Sequence, residues 1–289
     1  LEAQLEENDI DVLVFSMDSG LRLIPIAALH DGEQFLVEKY ALALVPSFGL
    51  TDTRYVDIHQ SPILAMGASQ FPDQPPLPTM PIELSNIISD PRQGELFIND
   101  NFTVDNFIAQ NRRSQPFRII HLGTHAQFTA GDFNDSFIQF SDQKLKIREL
   151  RQISDELGWS NTNTTPIELL VLSACETALG DEEAELGFAG LAVQAGVKSA
   201  LASLWYISDL GTLALMTEFY DNLSDVLVKA EALRSTQLSM LNGEVQIKDR
   251  ELLLSNGGSV DLPSPLPEGS LTFSDPYFWS AFTIIGNWN

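Results

Sequence analysis

Two short blocks of the 289-residue chain set reactive side chains at the ends of apolar runs: IIHLGTHAQF carries His121 and His125, and ELLVLSACETALG carries Cys175, the single cysteine. A thiol with the ordinary pKa of about 8.5 is only a few per cent ionised at neutral pH, and an imidazole that takes its proton turns it into a nucleophile. Cys175 with His125 is therefore a candidate nucleophile and general acid/base. The alternative is that Cys175 packs as a small hydrophobe, since free cysteine is among the most buried residue types. The H-x-x-x-H spacing of His121 and His125 would put two nitrogen ligands on one helix face. The flanking FRII and LGT read as strand, however, and the glutamate of H-E-x-x-H is missing, so no zinc site is expected. His121 reads instead as a packed strand residue or a support for the site.

The elements that must position these residues follow from the hydrophobic pattern. Apolar runs of strand length occur at 11–17, 35–45, 61–69, 117–126, 136–140, 167–175 and 198–205, several of them apolar on both faces as strands covered by helices must be. Stretches of helical period lie at 150–159, 186–196, 210–223 and 230–241. That alternation predicts an α/β fold with a mostly parallel sheet and helices on both faces. Ligand and catalytic groups of open parallel sheets sit beyond the carboxyl ends of the strands, where both His125 and Cys175 fall. If the two strands are neighbours, thiol and imidazole face each other. The segment FPDQPPLPTMP at 71–81, with five prolines in eleven residues, can continue neither a helix nor an interior strand. It is the expected linker between an N-terminal part, 1–80, and a larger part, 81–289. Residues 243–275 read as a long exposed insertion before a last strand within 277–287.

Composition narrows the classes of function. Forty acidic against sixteen basic side chains leave a formal charge of −24, which argues against nucleic acid as a partner. A single cysteine removes any intrachain disulfide framework and fits a reducing, cytoplasmic setting. No run approaches the eighteen or more apolar residues of a membrane span. The first residue is Leu1, and LEAQLEENDI reads as the last turns of a helix entering a strand, so the natural N-terminus is expected upstream.

RIIHLGTHAQF, ELLVLSACETALG and LGFAGLAVQAGVKSALASLWYISDLGTLALMTEFYDNL together resemble the CHAT family: caspase-like domains, related to separases, that accompany tetratricopeptide repeats in bacteria. The upstream GLRLIPIAALHDGEQFLVEKYALALVPS is similar to the N-terminal part of the same domains. The His-first order and the fifty-residue gap to Cys175 also match the caspase spacing. The resemblance implies a caspase-like three-layer sandwich and a cysteine endopeptidase needing no cofactor, with His125 as acid/base and Cys175 as nucleophile. It implies an oxyanion hole from the backbone N–H groups of Cys175 and Ala126, the latter standing where caspase relatives often have glycine. Its partners would be a protein or peptide substrate and an upstream tetratricopeptide-type region that regulates it. The rival expectation is a silent or latent CHAT module acting as a scaffold.

Other residues near these blocks carry two readings each. Gly123 would leave room for substrate. Trp205 and Tyr206 would wall a pocket beside a strand that pairs with an extended peptide, or else pack into the core. Asp209 and Asp132 would bind a basic side chain before the scissile bond through charge-assisted hydrogen bonds, or else cap turns and the helix starting near Leu210. The acidic run Asp181, Glu182, Glu183 and Glu185 lacks the D-x-D-x-D-G calcium pattern and reads as a solvated loop. The glycines of LGFAGLAVQAG, without the lysine of a phosphate-binding loop, read as close helix packing.

Overall fold

The computed structural model describes residues 2–18, 21, 24–89, 92–127, 136–159, 166–173, 192–193, 195–263 and 269–289. Cys175, Asp132, the acidic run and most of the expected helix at 186–196 lie outside them.

Eight strands form the central sheet: β1 (Val12–Phe15), β2 (Ala41–Leu44), β3 (Ile63–Gly67), β4 (Gly94–Ile98), β5 (Ile119–Gly123), β9 (Leu169–Ser173), β10 (Ser199–Ser203) and β15 (Phe282–Gly286). Their spatial order is β1-β2-β15-β10-β9-β5-β3-β4. Every neighbouring pair is parallel except β10 with β15, so β15, β2 and β1 run opposite to the other five. Strands from 1–80 and from 81–289 thus share one sheet, and the last two residues of the proline-rich segment, Met80 and Pro81, already open a helix. β2, β3, β5, β9, β10 and β15 are buried at every position, the burial that their continuous apolar runs predict.

The longer helices are α3 (Met80–Ile87), α4 (Val104–Asn111), α5 (Ile147–Leu157), α6 (Asp209–Asp225) and α7 (Lys229–Leu241); the short ones are α1 (Glu2–Glu7), α2 (Leu36–Lys39) and α8 (Pro276–Trp279). α6 begins where Ser208 accepts the Gly211 N–H at 3.2 Å, a cap worth about 1 kcal/mol. α5 ends at Gly158, whose φ of 68° lies in the left-handed region that glycine enters without steric cost. α3, α6 and α7 cover the sheet face carrying the His121 side chain, where α6 supplies Tyr220. Phe107 of α4 meets Trp159, just past α5, edge to face at 6.2 Å.

Two small antiparallel sheets complete the molecule. β6 (Ala126–Gln127), β7 (Phe137–Gln139) and β8 (Lys144–Lys146) follow β5. The stretch expected as an exposed insertion instead forms β11 (Gln246–Lys248), β12 (Glu251–Leu253), β13 (Ser259–Asp261) and β14 (Leu271–Thr272). It packs Val245, Ile247, Leu252 and Phe273 inward, all fully or nearly fully buried. Its apolar residues are spaced too sparsely among Asp, Ser and Gly to announce strands. The expected last strand, likewise, is a turn of helix at Pro276–Trp279 followed by β15.

Candidate active site

β5 and β9 are adjacent, parallel and paired from Ile119 with Leu169 to Gly123 with Ser173. The ladder extends one step further, where the Thr124 N–H donates to the Ser173 carbonyl at 3.1 Å. His125 follows the last paired residue of β5 by two positions, and Cys175 follows the last paired residue of β9 by two in sequence.

His125 is held by groups that the hydrophobic pattern did not point to. Its Nε2 lies 2.8 Å from the Pro75 carbonyl, and its ring meets Phe71 edge to face at 4.9 Å. A carbonyl only accepts, so Nε2 carries the proton and the neutral ring keeps its basic lone pair on Nδ1. The proline-rich segment therefore folds back over the end of β5 as one wall of the site. Proline suits this role because the following Pro76 holds Pro75 to extended ψ, which limits the direction of its carbonyl, while its missing N–H needs no partner. The His125 carbonyl accepts from the Gln139 N–H at 2.9 Å, which anchors the far side of the loop to β7.

That bond also fixes the direction of the next N–H. Since Gln139 N–H pairs with His125 O, Ala126 and Ile138 are a non-hydrogen-bonded pair of the antiparallel ladder, and the Ala126 N–H turns away from β7. Ala126 lies in extended strand backbone, a conformation open to any L-residue. Gly123 faces α3: a Cβ built there would collide with the flexible end of the Met80 side chain, so the missing side chain lets α3 lie close to the end of β5.

Asp209 is the first residue of α6, whose cap is Ser208. Its carboxylate reaches across to α3, where Oδ2 accepts the Thr79 N–H at 2.8 Å, and Thr79 Oγ1 donates to the Asp209 carbonyl at 3.3 Å. Burial pushes the Asp209 carboxyl above its ordinary value; the Thr79 hydrogen bonds pull it back, the Glu83 charge adds to the rise, and a charged His125 lowers it. Asp209 and His125 thus lie within each other's electrostatic reach. Trp205 is half-buried; its Nε1 donates to the Tyr277 carbonyl at 3.0 Å and its ring stacks on Tyr277 at 6.5 Å. Tyr277 Oη in turn donates to the Tyr206 carbonyl at 2.7 Å. Tyr206 and Tyr277 are about half exposed, forming an aromatic shelf between the end of β10 and the start of α6.

No group of three or more metal-ligating side chains converges among the described residues. His121 is fully buried and bonded on both nitrogens, to Tyr220 Oη at 3.2 Å and Glu83 Oε1 at 3.0 Å, which makes it a packed strand residue. Glu83, Thr79, Pro75 and Phe71 are the residues sequence reasoning missed. Glu83 had a signal: it is the one charge on the stripe Met80, Glu83, Leu84, Ile87, whose spacing makes it the buried face of α3.

A CHAT domain match spans residues 1–287. The chain belongs to the CHAT domain family. Among solved structures, CHAT similarity extends to the Saccharomyces cerevisiae separase–securin complex, with a TM-score of 0.56 at 13% identity, covering 99% of this chain and 17% of that one. A second structure of the same complex gives 0.58 at 12%, over 96% and 15%. The complex of Porphyromonas gingivalis RgpB pro- and mature domains gives 0.55 at 11%, over 99% and 66%. No curated protein matches in sequence. The chain spans under a fifth of the separase chains it resembles, and at these identities the likeness shows the caspase-like fold alone. A mostly parallel α/β sheet flanked by helices agrees with it. No helix among the described residues is long and apolar enough to cross a membrane.

Proposed function

We propose that this CHAT domain is a cysteine endopeptidase in which His125 and Cys175 act as a dyad. The observation that carries the reading is the register of β5 on β9, which starts both residues from level, adjacent strand ends. With Nε2–H given to Pro75, Nδ1 of His125 is the lone pair that takes the thiol proton. The thiolate attacks a peptide carbonyl, the tetrahedral oxyanion accepts from backbone N–H groups including that of Ala126, and the leaving amine takes the proton back from His125. Water, deprotonated by the same ring, then hydrolyses the thioester and returns the free thiol.

Substrate lies across the aromatic shelf, with Tyr206 and Trp205 flanking a side chain that points toward Asp209. A carboxylate raised by burial gains most from a cationic partner, so the side chain before the scissile bond is arginine or lysine. Regulation by a tetratricopeptide-type region of the same protein belongs to this reading.

Digestion of a mixed peptide library by the wild-type chain, Cys175→Ala and His125→Ala, with product ends read by mass spectrometry, tests it. Cuts that vanish in both variants, with basic residues enriched before the cut, are the expected result. Cuts that persist in Cys175→Ala would overturn the dyad, and a flat residue preference would overturn the role given to Asp209.

A further inference from the structure

Beneath the proposed dyad, on the α3/α6 face of the sheet, lies a cluster of polar side chains that the chemistry does not use. Glu83, His121 and Ser173 are each fully buried. Burying polar groups costs free energy that apolar side chains would not incur, and it is recovered only when their hydrogen bonds are made. Here one atom makes two of them: Glu83 Oε1 accepts from His121 Nε2 at 3.0 Å and from Ser173 Oγ in a short bond. Glu83 Oε2, equally buried, has no hydrogen-bond partner among the described residues.

The proton arrangement is consistent along the whole cluster. Burial raises the Tyr220 phenol above its ordinary range, so it stays protonated and donates to His121 Nδ1 at 3.2 Å. His121 then carries its proton on Nε2 and donates it to Glu83. Arg92 backs the far end, with Nη2 donating to the Tyr220 carbonyl at 2.6 Å and the guanidinium 5.3 Å above the Tyr220 ring. The groups facing Glu83 are thus His121 from β5, Ser173 from β9, and Tyr220 and Asp209 from α6, with Arg92 behind Tyr220.

These contacts involve the elements that lead into the site. His121 precedes His125 by four residues, Ser173 precedes Cys175 by two, and α6 begins with Asp209. We infer that Glu83 is the positioning residue of the dyad: its single oxygen, shared between His121 and Ser173, sets the relative height of the two strand ends from which His125 and Cys175 continue. The inference rests on the peptidase reading. It goes beyond it in assigning the alignment of the pair to a side chain on a third element, α3. A carboxylate suits this role better than an apolar contact because it is directional: a slide of β9 along β5 breaks one bond of the shared pair, whereas apolar packing tolerates small slips.

Because Cys175 is the only thiol in the chain, its alkylation by iodoacetamide reports the site without any substrate. The rate is measured from pH 5 to 9 in wild type, His125→Ala, Glu83→Ala, Glu83→Gln and Ser173→Ala, each with a thermal melt. Wild type should show reactivity below the ordinary thiol pKa that His125→Ala abolishes. Glu83→Ala should lose roughly 10- to 100-fold of that low-pH reactivity, the scale expected when a reacting group is displaced by about 1 Å. Glu83→Gln, which keeps the shape and one acceptor oxygen, should recover part of it, and Ser173→Ala should show a smaller loss with a near-normal melt. If Glu83→Ala does not fold, the other two variants carry the test. Folded Glu83→Gln and Ser173→Ala with a wild-type low-pH limb would overturn the positioning role. A wild-type profile identical to that of His125→Ala would remove the dyad itself, and the positioning role with it.

Discussion

The two ends of the central sheet are both rich in titratable groups, and they use them in opposite ways. Because β15, β2 and β1 run against the other five strands, each end of the sheet receives the carboxyl ends of some strands, so topology alone does not tell the reactive end from the other. At the end holding His125, a half-buried imidazole is held by a backbone carbonyl and the Asp209 carboxylate by a backbone N–H, neither of them bonded to a counter-ion among the described residues. At the opposite end charges neutralise one another: Asp52 takes Lys198 and Arg54, and Arg118 lies 3.8 Å from buried Glu168, whose charge also acts on buried Lys229. Backbone partners orient a group without cancelling its charge. Side-chain counter-ions cancel it, which suits structure better than chemistry.

The comparison breaks if cleavage survives at the first end or fails at the second. The largest expected effect is on turnover: His125→Ala should lower kcat/KM for a cleavable peptide by on the order of 10²- to 10⁴-fold, the usual contribution of a positioned acid/base, with the melt unchanged. At the other end the effect should appear in stability. Burial brings the Lys229 amine down to about 8 against 10.5 unfolded, with Glu168 partly opposing the drop. Between those two values the unfolded chain holds more protons, so stability rises with pH, by up to about 3 kcal/mol from this group. Lys229→Met should flatten that rise in pH-dependent denaturant melts and leave cleavage intact.

Smaller effects sharpen the picture of the reactive end. Asp209→Asn should cut kcat/KM for arginine and lysine substrates by roughly 10- to 100-fold, the scale of a hydrogen bond to a charged group, with little change for neutral ones. Competition between matched basic and neutral peptides measures it. Tyr277→Phe removes the bond to the Tyr206 carbonyl and should cost about 1 kcal/mol of stability or binding, seen as a several-fold rise in KM without loss of kcat.

Much of the fold was legible because β5, β9 and β10 are apolar on both faces and of strand length, as strands covered by helices must be, and alternate with stretches of helical period. The adjacency of β5 and β9 was left open by the sequence, which places a histidine and a cysteine at two strand ends without saying that the strands adjoin; the register of the sheet supplies it. The partners of His125 were not legible. Pro75 contributes a carbonyl, which every residue has, and nothing in side-chain type distinguishes the one that bonds. The proline cluster was visible, but prolines mark a constrained path without saying what it passes. Residues 243–275 were misread because β11, β12 and β13 each bury only one residue of three and β14 none, and strands so short and so sparsely apolar resemble loop. Glu83 could have been found, as a lone charge on an apolar helix stripe, since such a charge needs buried partners.

The claim at the centre is that His125 activates Cys175. It is tested most directly by a peptidyl chloromethyl ketone ending in arginine, incubated at neutral pH with wild type and His125→Ala and mapped by mass spectrometry. The account predicts an adduct on Cys175 in wild type and almost none in the variant. Equal labelling of both, or an adduct confined to other residues, would contradict it.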